Sequence, residues 1–198
     1  GDGGYVAFQT SANNLSVADP DTGLDIYRRS LVASSTVLVS LTGAATKGNA
    51  GSADPSISDN GQFVAFLSSA TNLAQFTTNG TGALSGSGDV AVFSTRGTNL
   101  DEAGDPDPAT DFDYDIYTRK VSTTDTTLIS RASGNTGPKA DDRSYFPSIN
   151  DSGTRVAFIS EGDNLGVATT QGRTTFSRDT CASPDTTAIV STAPAAVA

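Results

Sequence analysis

The 198-residue chain contains no histidine, methionine or tryptophan, and it has a single cysteine, Cys181. The lack of histidine excludes Ser-His-Asp and Cys-His catalytic groups and every histidine metal ligand within this chain. One cysteine cannot form a disulfide within the chain, so we expect a free thiol, with a bond to another chain as the alternative. Position 1 is not methionine, which favours a processed product or a fragment.

Long apolar runs and basic clusters are also missing. No apolar run approaches the roughly 20 residues that a helix needs to cross a bilayer, so we expect no membrane span. The net charge is −10 and the isoelectric point is near 4.2. This argues against nucleic acid or an anionic membrane as a partner, because phosphate binding requires clustered Lys and Arg.

Glutamate is scarce, since the chain has 20 Asp but only two Glu, Glu102 and Glu161. Glutamate favours helices, whereas Asp competes for its own backbone and favours turns. The 20 Gly and the many Ser and Thr point in the same direction. The composition therefore predicts many turns and few helices.

One phrase occurs four times, as GGYVAFQTSANNL, DNGQFVAFLSSATNL, GSGDVAVFSTRGTNL and DSGTRVAFISEGDNL. Four columns align without a gap: Gly3, Gly61, Gly88 and Gly153; Phe8, Phe66, Phe93 and Phe158; Asn14, Asn72, Asn99 and Asn164; and Leu15, Leu73, Leu100 and Leu165. Each copy predicts a turn followed by a short strand rich in Val and Phe, with Gly61 free to adopt a positive φ. We expect the Leu to return to the core.

Flanking segments extend the repeated phrase to a full unit of four short strands. They are PSIS (55–58), GALS (82–85) and PSIN (147–150) upstream, then DIYRR (25–29), DIYTR (115–119) and TTFSR (174–178), and last TVLVS (36–40), TTLIS (126–130) and TAIVS (187–191). A four-stranded unit repeated along the chain predicts an all-β protein, a β-propeller of antiparallel blades. A β-sandwich is the alternative.

Two of the four units are incomplete. The first copy has no upstream strand, and the second has only its first two strands. We expect a single propeller-like domain over 1–198 with units at about 1–53, 54–81, 82–145 and 146–198, the second one truncated. The propeller is therefore incomplete and irregular, completed by another chain, or part of a larger protein. Since exposed edge strands are a liability, we favour an oligomer or a larger protein of which this chain is a part.

The pattern P-S-I-S-D-x-G-x-x-V-A-F-x-S-x-x-x-N-L, followed by D-I-Y-x-R and T-T-x-x-I-S, resembles the TolB-type (WD-repeat-like) β-propeller repeat of bacterial secreted and periplasmic proteins. The resemblance covers about residues 2–191. It implies four-stranded blades and an extracellular, cell-surface or periplasmic location. Such propellers serve as binding platforms, structural modules and parts of enzymes, so the resemblance does not specify the function.

Two acidic loops, ADPDTGLD (18–25) and DEAGDPDPATDFDYD (101–115), precede the DIY strands. Alternating carboxylates in a tight loop resemble a calcium site, because Ca²⁺ takes six to eight oxygen ligands. The alternative is a solvated acidic loop that aids solubility. The candidate ligands are Asp19, Asp21 and Asp25 in the first loop and Asp105, Asp107, Asp111, Asp113 and Asp115 in the second.

Three arginines, Arg29, Arg119 and Arg178, recur at one place in the unit. Binding of an anion is one interpretation. We favour pairing with a neighbouring Asp or coverage of apolar surface by the side-chain stems.

A binding function is favoured over catalysis. The repeat, the acidity and the lack of histidine predict a secreted or cell-surface module that binds a protein partner or assembles with itself, without catalysis of its own. The alternatives are a calcium-dependent structural or adhesive protein and the propeller part of a hydrolase or lyase.

Overall fold

The structure is a computed structural model that describes residues 3–42, 44–73, 82–96, 100, 113–123, 125–134, 136–166, 172–180 and 186–190. These residues form thirteen β-strands and no helix. In chain order the strands are β1 (Tyr5–Thr10), β2 (Asp25–Ser30), β3 (Ser35–Leu38), β4 (Ser52–Ile57), β5 (Val64–Ser68), β6 (Gly82–Leu84), β7 (Val90–Thr95), β8 (Asp115–Lys120), β9 (Thr126–Leu128), β10 (Ser144–Ile149), β11 (Arg155–Ser160), β12 (Thr174–Asp179) and β13 (Thr186–Ile189).

The strands form four antiparallel sheets, each made of strands that are consecutive in the chain. We call them blade 1 (β1–β3), blade 2 (β4 and β5), blade 3 (β6–β9) and blade 4 (β10–β13). The predicted all-β class with four-stranded antiparallel blades is confirmed. Within the described residues blade 2 has two strands and blade 1 has three, which are the two incomplete units that the repeat predicts.

Blades 2 and 4 begin earlier than the predicted unit boundaries. Strands β4 and β10 start at positions 52 and 144, two residues before the expected 54 and 146. The register shifts between Ala53 and Ser56, next to Pro55, and at the equivalent place in β10. Proline has no N–H to give to the ladder, so each strand passes its proline through a bulge. The treatment of 1–198 as one domain stays a prediction.

Each blade contacts the next blade along the chain, since β4 lies against β1 and β2, β6 against β4 and β5, and β10 against β6, β7 and β8. The aligned glycine of a blade packs against the residue two positions after the aligned glycine of the preceding blade: Gly61 against Tyr5, Gly88 against Phe63 and Gly153 against Val90. Gly61 has φ 68°, as predicted. A Cβ atom there would lie 2.3 Å from the Tyr5 ring, so the blade contact itself requires glycine.

The phenylalanine of the repeat stacks on an aromatic ring of the neighbouring strand in three blades. The pairs are Phe8–Tyr27, Phe93–Tyr117 and Phe158–Phe176, with ring centroids 5.9, 6.3 and 5.8 Å apart. Each pair is a directly opposed cross-strand pair, the arrangement that lets rings stabilise two strands.

The larger of the two buried apolar clusters described lies between blades 3 and 4. Its buried members are Val92, Ile116, Ile129, Ala140, Val156, Phe158, Leu165 and Phe176. The Leu of the repeat is therefore in the core in blade 4, where Leu165 is 2% exposed, but Leu15 of blade 1 is 40% exposed. The expectation that this Leu returns to the core holds for Leu165 and is wrong for Leu15.

Candidate functional site

The first acidic loop brings three carboxylates together at the start of β2. Asp19 and Asp21 lie in the loop, Asp25 is the first residue of the strand, and one oxygen of each lies within 4.8 Å of the others. Asp19 and Asp25 are buried, and Asp21 is exposed. The Gly23 N–H donates to Asp21 Oδ1 at 2.7 Å, which turns the loop back on itself. This acidic triad could hold a metal ion.

A lysine that the sequence analysis did not single out lies among these carboxylates. Lys47 Nζ is 2.9 Å from Asp25 Oδ2, 2.9 Å from Asp21 Oδ2 and 3.7 Å from Asp19 Oδ1. The lysine reaches the triad from the short bridge that Leu41 and Lys47 form after β3. One ammonium thus offsets part of the charge of three carboxylates, as a bound cation would.

Neutral donors hold the two buried carboxylates in place. The Tyr27 hydroxyl donates to Asp19 Oδ2 at 2.7 Å, and the Ser40 hydroxyl donates to Asp25 Oδ1 at 2.8 Å. Asp19 Oδ1 is buried and accepts no hydrogen bond from the described residues, and Lys47 Nζ lies 3.7 Å from it. Asp25 Oδ2 faces the ammonium as an ion pair that lacks hydrogen-bond geometry.

These contacts change the acidities of the groups involved. Burial, followed by the hydrogen bond to Asp19, raises the pKa of Tyr27. Burial alone would lower the pKa of Lys47, but the carboxylates of Asp21 and Asp25 outweigh it, so the pKa of Lys47 is raised. The Lys47 ammonium and the Gly23 N–H in turn lower the pKa of Asp21. Lys47 therefore stays charged at neutral pH although it is largely buried.

The second acidic loop lies mostly outside the described residues, which include Asp113 and Asp115 but not Asp105, Asp107 or Asp111. Asp115 begins β8 and repeats the arrangement of Asp25. Lys139 Nζ lies 2.7 Å from Asp115 Oδ2, and the Ser130 hydroxyl donates to Asp115 Oδ1 at 2.8 Å. Asp113 Oδ1 lies 3.8 Å from Arg143 Nε, so this carboxylate faces an arginine.

A pattern in the sequence could have revealed the two lysines. Each is followed by a serine five positions later and by Pro-Ser-Ile, in KGNAGSADPSI (47–57) and KADDRSYFPSI (139–149). The two serines that bind the aspartates, Ser40 and Ser130, each follow their aspartate by 15 residues. An Asp–Ser–Lys set thus recurs in blades 1 and 3, where it ties the start of β2 or β8 to the segment leading to the next blade.

The recurring arginines bind within their own sheets. Each guanidinium donates to a threonine hydroxyl on the neighbouring strand: Arg29 to Thr36, Arg119 to Thr126 and Arg178 to Thr187. Arg178 also donates to the carbonyls of Arg131, Ala132 and Gly134. The hydrogen bonds to threonine make the arginines cross-strand ties, a role that the sequence did not predict.

A polar groove of about 530 Å³ lies between blades 3 and 4. Its walls mix cations and anions, with Asp89, Lys120, Asp125, Arg131 and Arg178 among the lining residues. Small-molecule and cofactor sites are usually lined mainly by apolar and aromatic side chains, and this groove is not. It fits contact with a polar surface better than a buried substrate.

Comparison with known proteins bears on the fold. No family model and no curated protein matches the chain. The tricorn protease structure has a TM-score of 0.50 and 9% identity, covering 89% of this chain and 17% of that one. At this identity the likeness concerns the fold alone. The fold is that of a β-propeller.

Two TolB structures are also similar to the chain. TolB from Acinetobacter baumannii has a TM-score of 0.46 and 13% identity over 95% of this chain and 41% of that one. The structure described as a putative TolB from Agrobacterium tumefaciens has a TM-score of 0.46 and 15% identity, and the match covers 90% of this chain and 58% of that one. The expected resemblance to TolB-type propellers is confirmed at this level of similarity. The chain spans less than two thirds of each of the three structures.

The sequence predicts no membrane-spanning helix. Within the part of the chain that the structure describes, no helix is long and apolar enough to cross a bilayer.

Proposed function

We propose that this chain is a secreted, cell-surface or periplasmic β-propeller module that binds a protein partner and has no catalysis of its own. The observation that carries the proposal is the use of its buried acids. Asp25 and Asp115 are each held by a Ser that follows the last strand of the same blade and by a Lys in the segment that leads to the next blade. Carboxylates tied up in this way stabilise a scaffold, whereas a general acid or base needs access to substrate.

The test of the non-catalytic part is a screen of the purified chain with generic esterase, glycosidase, phosphatase and peptidase substrates. We expect rates equal to the buffer blank, with and without EDTA. Clear turnover that chelation abolishes would instead assign the chain to a hydrolase. Fractionation of the source cells tests the location, since a cytoplasmic pool would contradict it.

Calcium binding at the acidic triad is a second candidate, and Asp19 favours it. Its Oδ1 atom is buried and accepts no hydrogen bond from the part of the chain that the structure describes, and oxygen atoms from Asp19, Asp21 and Asp25 are the ligand type that Ca²⁺ prefers. Lys47 opposes it, because an ammonium 2.9 Å from two of these carboxylates must leave before a divalent cation can bind. The residues fit an ion only if Lys47 swings out.

Thermal melts separate the two cases. A ligand that binds only the folded state raises the melting temperature, so melts are recorded in about 2 mM CaCl₂, a large excess over sensor-range affinities, in MgCl₂ and in EDTA. With Lys47 in place we expect coincident curves. In Lys47→Gln we expect calcium to raise the melting temperature, because the competing ammonium is gone. A calcium shift in the unaltered chain would make the calcium-dependent module the better proposal.

A further inference from the structure

Strand β5 is the outermost strand of blade 2 among the described residues. In blades 1, 3 and 4 the corresponding strands β1, β7 and β11 each pair with the strand that follows them in the chain, β2, β8 and β12 respectively. No described residue pairs with the outer edge of β5. All five residues of β5 are half-buried.

The backbone groups that this edge presents follow from the alternation of an antiparallel ladder. The Ser58 N–H donates to Phe63 O, and the Ser69 N–H donates to Gly51 O, so the odd-numbered residues of β5 face β4. Antiparallel pairing alternates along a strand. The N–H and C=O groups of Val64, Phe66 and Ser68 therefore point away from β4.

Phe66 supplies an independent observation. It belongs to the same column as Phe8, Phe93 and Phe158, and each of those rings stacks on an aromatic ring of the adjoining third strand. Phe66 has no such stacked ring among the described residues, and it is half-buried, as Phe8 is. Among the described residues, the edge thus has neither a hydrogen-bonding strand nor an aromatic side chain opposite Phe66.

We propose that the outer edge of β5 binds an extended segment of a partner protein, which adds to blade 2 as an antiparallel strand and places a Tyr or Phe opposite Phe66. Edge addition of a peptide strand gives affinity through main-chain hydrogen bonds and specificity through alternate side chains. The proposal deepens the proposed binding function and rests on it.

The other blades define the chemistry of the bound segment. The strands that fill this place are DIYRRS in β2, DIYTRK in β8 and TTFSRD in β12. All three have an aromatic residue at the third position and an arginine two positions later, and β2 and β8 also put an aliphatic residue before the aromatic one. Basic residues also suit a host of net charge −10, because opposite charge favours encounter. The segment is therefore an extended strand of aliphatic, aromatic and then basic residues.

The probe is a fluorescent peptide with the sequence of residues 24–31, LDIYRRSL, titrated with the whole chain and followed by anisotropy. We expect saturable binding. Replacing its Tyr by Ala removes the aromatic pair and should weaken binding about three- to tenfold. A scrambled peptide of the same composition should not bind. Equal binding of all three peptides would overturn the proposal, because it would reflect charge alone.

N-methylated peptides test the strand geometry. In blade 1, Ile26 faces β3, since its carbonyl accepts from Val39 N–H, and Tyr27 therefore faces β1. A methyl group on the peptide's Tyr nitrogen should abolish binding, whereas one on its Ile nitrogen should leave binding intact. The reverse order, or no difference, would contradict strand addition in this register.

A pair of protein variants tests the place of binding. Phe66→Leu should weaken peptide binding and change the melting temperature little, because Phe66 is half-buried. Phe158→Leu, in the same column of a complete blade, should lower the melting temperature and leave the peptide affinity unchanged. Equal affinities for both variants would place the peptide elsewhere and overturn the proposal.

Amide exchange of the chain alone shows whether the edge is open. The amides of Val64, Phe66 and Ser68 should exchange fast without peptide and slowly with it. Protection without peptide means that this chain already fills the edge, and a concentration-dependent dimer lost in Phe66→Leu means that a second copy does; either result overturns the proposal. Enzymatic turnover in the substrate screen would overturn only the proposed non-catalytic function.

Discussion

At the scale of single residues, Lys47 is the cation on which the charges of the first acidic loop converge. Its side chain is 13% exposed and the Asp25 side chain is fully buried. Removing one partner of such a pair leaves a buried charge uncompensated, which costs far more than the pair contributes. Lys47 therefore has a structural effect out of proportion to one surface charge.

Replacing Lys47 by Met should lower the free energy of unfolding by about 3 kcal/mol, the usual cost of breaking a buried ion pair. Urea unfolding at neutral pH measures it. Lys120→Met is the control, since Lys120 is exposed at the end of β8 and exposed substitutions change stability by less than about 0.5 kcal/mol. Equal changes in the free energy of unfolding for the two variants would show that the buried ion pairs of Lys47 do not stabilise the fold.

The raised pKa values of Lys47 and Tyr27 predict a loss of stability in alkali. Both groups hold their protons more tightly in the folded than in the unfolded chain. Their contributions are complete below the unfolded pKa values, about 10 for each, and are lost as the pH rises further. Urea midpoints should therefore fall from pH 9 to pH 11. The fall should be smaller in Tyr27→Phe, and an unchanged fall would contradict the role of Tyr27.

Sequence reasoning at this scale found Asp19, Asp21 and Asp25 as one cluster but missed their cation. Carboxylates close together in the chain are bound to lie close together in a tight loop. Lys47 stands far down the chain, and the path that returns it to the loop depends on the bridge between Leu41 and Lys47. Such long-range pairing is not encoded in local spacing, although the repetition of the lysine in blade 3 carried a signal.

At the scale of elements, the turns that precede β5, β7 and β11 join neighbouring blades. The Asp59 N–H donates to Gly86 O, and the Gly86 N–H donates to Asp151 O. These residues each stand two positions before the aligned glycine, so the turns of blades 2, 3 and 4 are linked by backbone hydrogen bonds. The aligned glycine therefore has two roles: it adopts the positive φ of the turn, and its lack of a side chain lets two blades approach closely.

Alanine at Gly61 and at Gly3 separates these two effects. Both glycines have positive φ, 68° and 72°, so each substitution costs about 1–2 kcal/mol of backbone strain. A Cβ at Gly61 would also collide with Tyr5, whereas one at Gly3 meets nothing within 4 Å. We expect a loss of about 1 kcal/mol for Gly3→Ala and about 4 kcal/mol for Gly61→Ala. Equal losses in urea unfolding would refute the contact.

The elements themselves were largely predictable, and the bulges were not. Alternation, turn residues and repetition placed the strands and identified blades 1 and 2 as the units that have fewer than four strands within the described residues. Asp54 and Phe146, just before the prolines of β4 and β10, adopt φ of 52° and 53°, which is rare for residues other than glycine. A proline in a strand predicts an interruption of the hydrogen-bond ladder. The position of the extra, bulged residue depends on the register of the partner strand.

At the scale of the whole molecule, equivalent positions of the repeat differ in burial because blades differ in what covers them. Val156 of blade 4 is fully buried against blade 3, whereas Val6 of blade 1, in the same column, is 44% exposed. Sequence alone makes these two valines equal. Only the stacking of sheets, in which stability is a sum over neighbouring repeats, distinguishes them.

The interface of blades 3 and 4 should accordingly dominate stability. Val156→Ala should cost roughly 2 kcal/mol, because it removes buried methyl groups and leaves a cavity in the apolar cluster. Val6→Ala, the same change at the equivalent position, should cost less than about 1 kcal/mol, since that side chain already contacts solvent. Amide exchange should show the same order, with β7 and β11 more protected than β1. If Val6→Ala were the costlier change, the exposed face of blade 1 would be covered in solution, and the blade contacts described would be only part of the assembly that stabilises the chain.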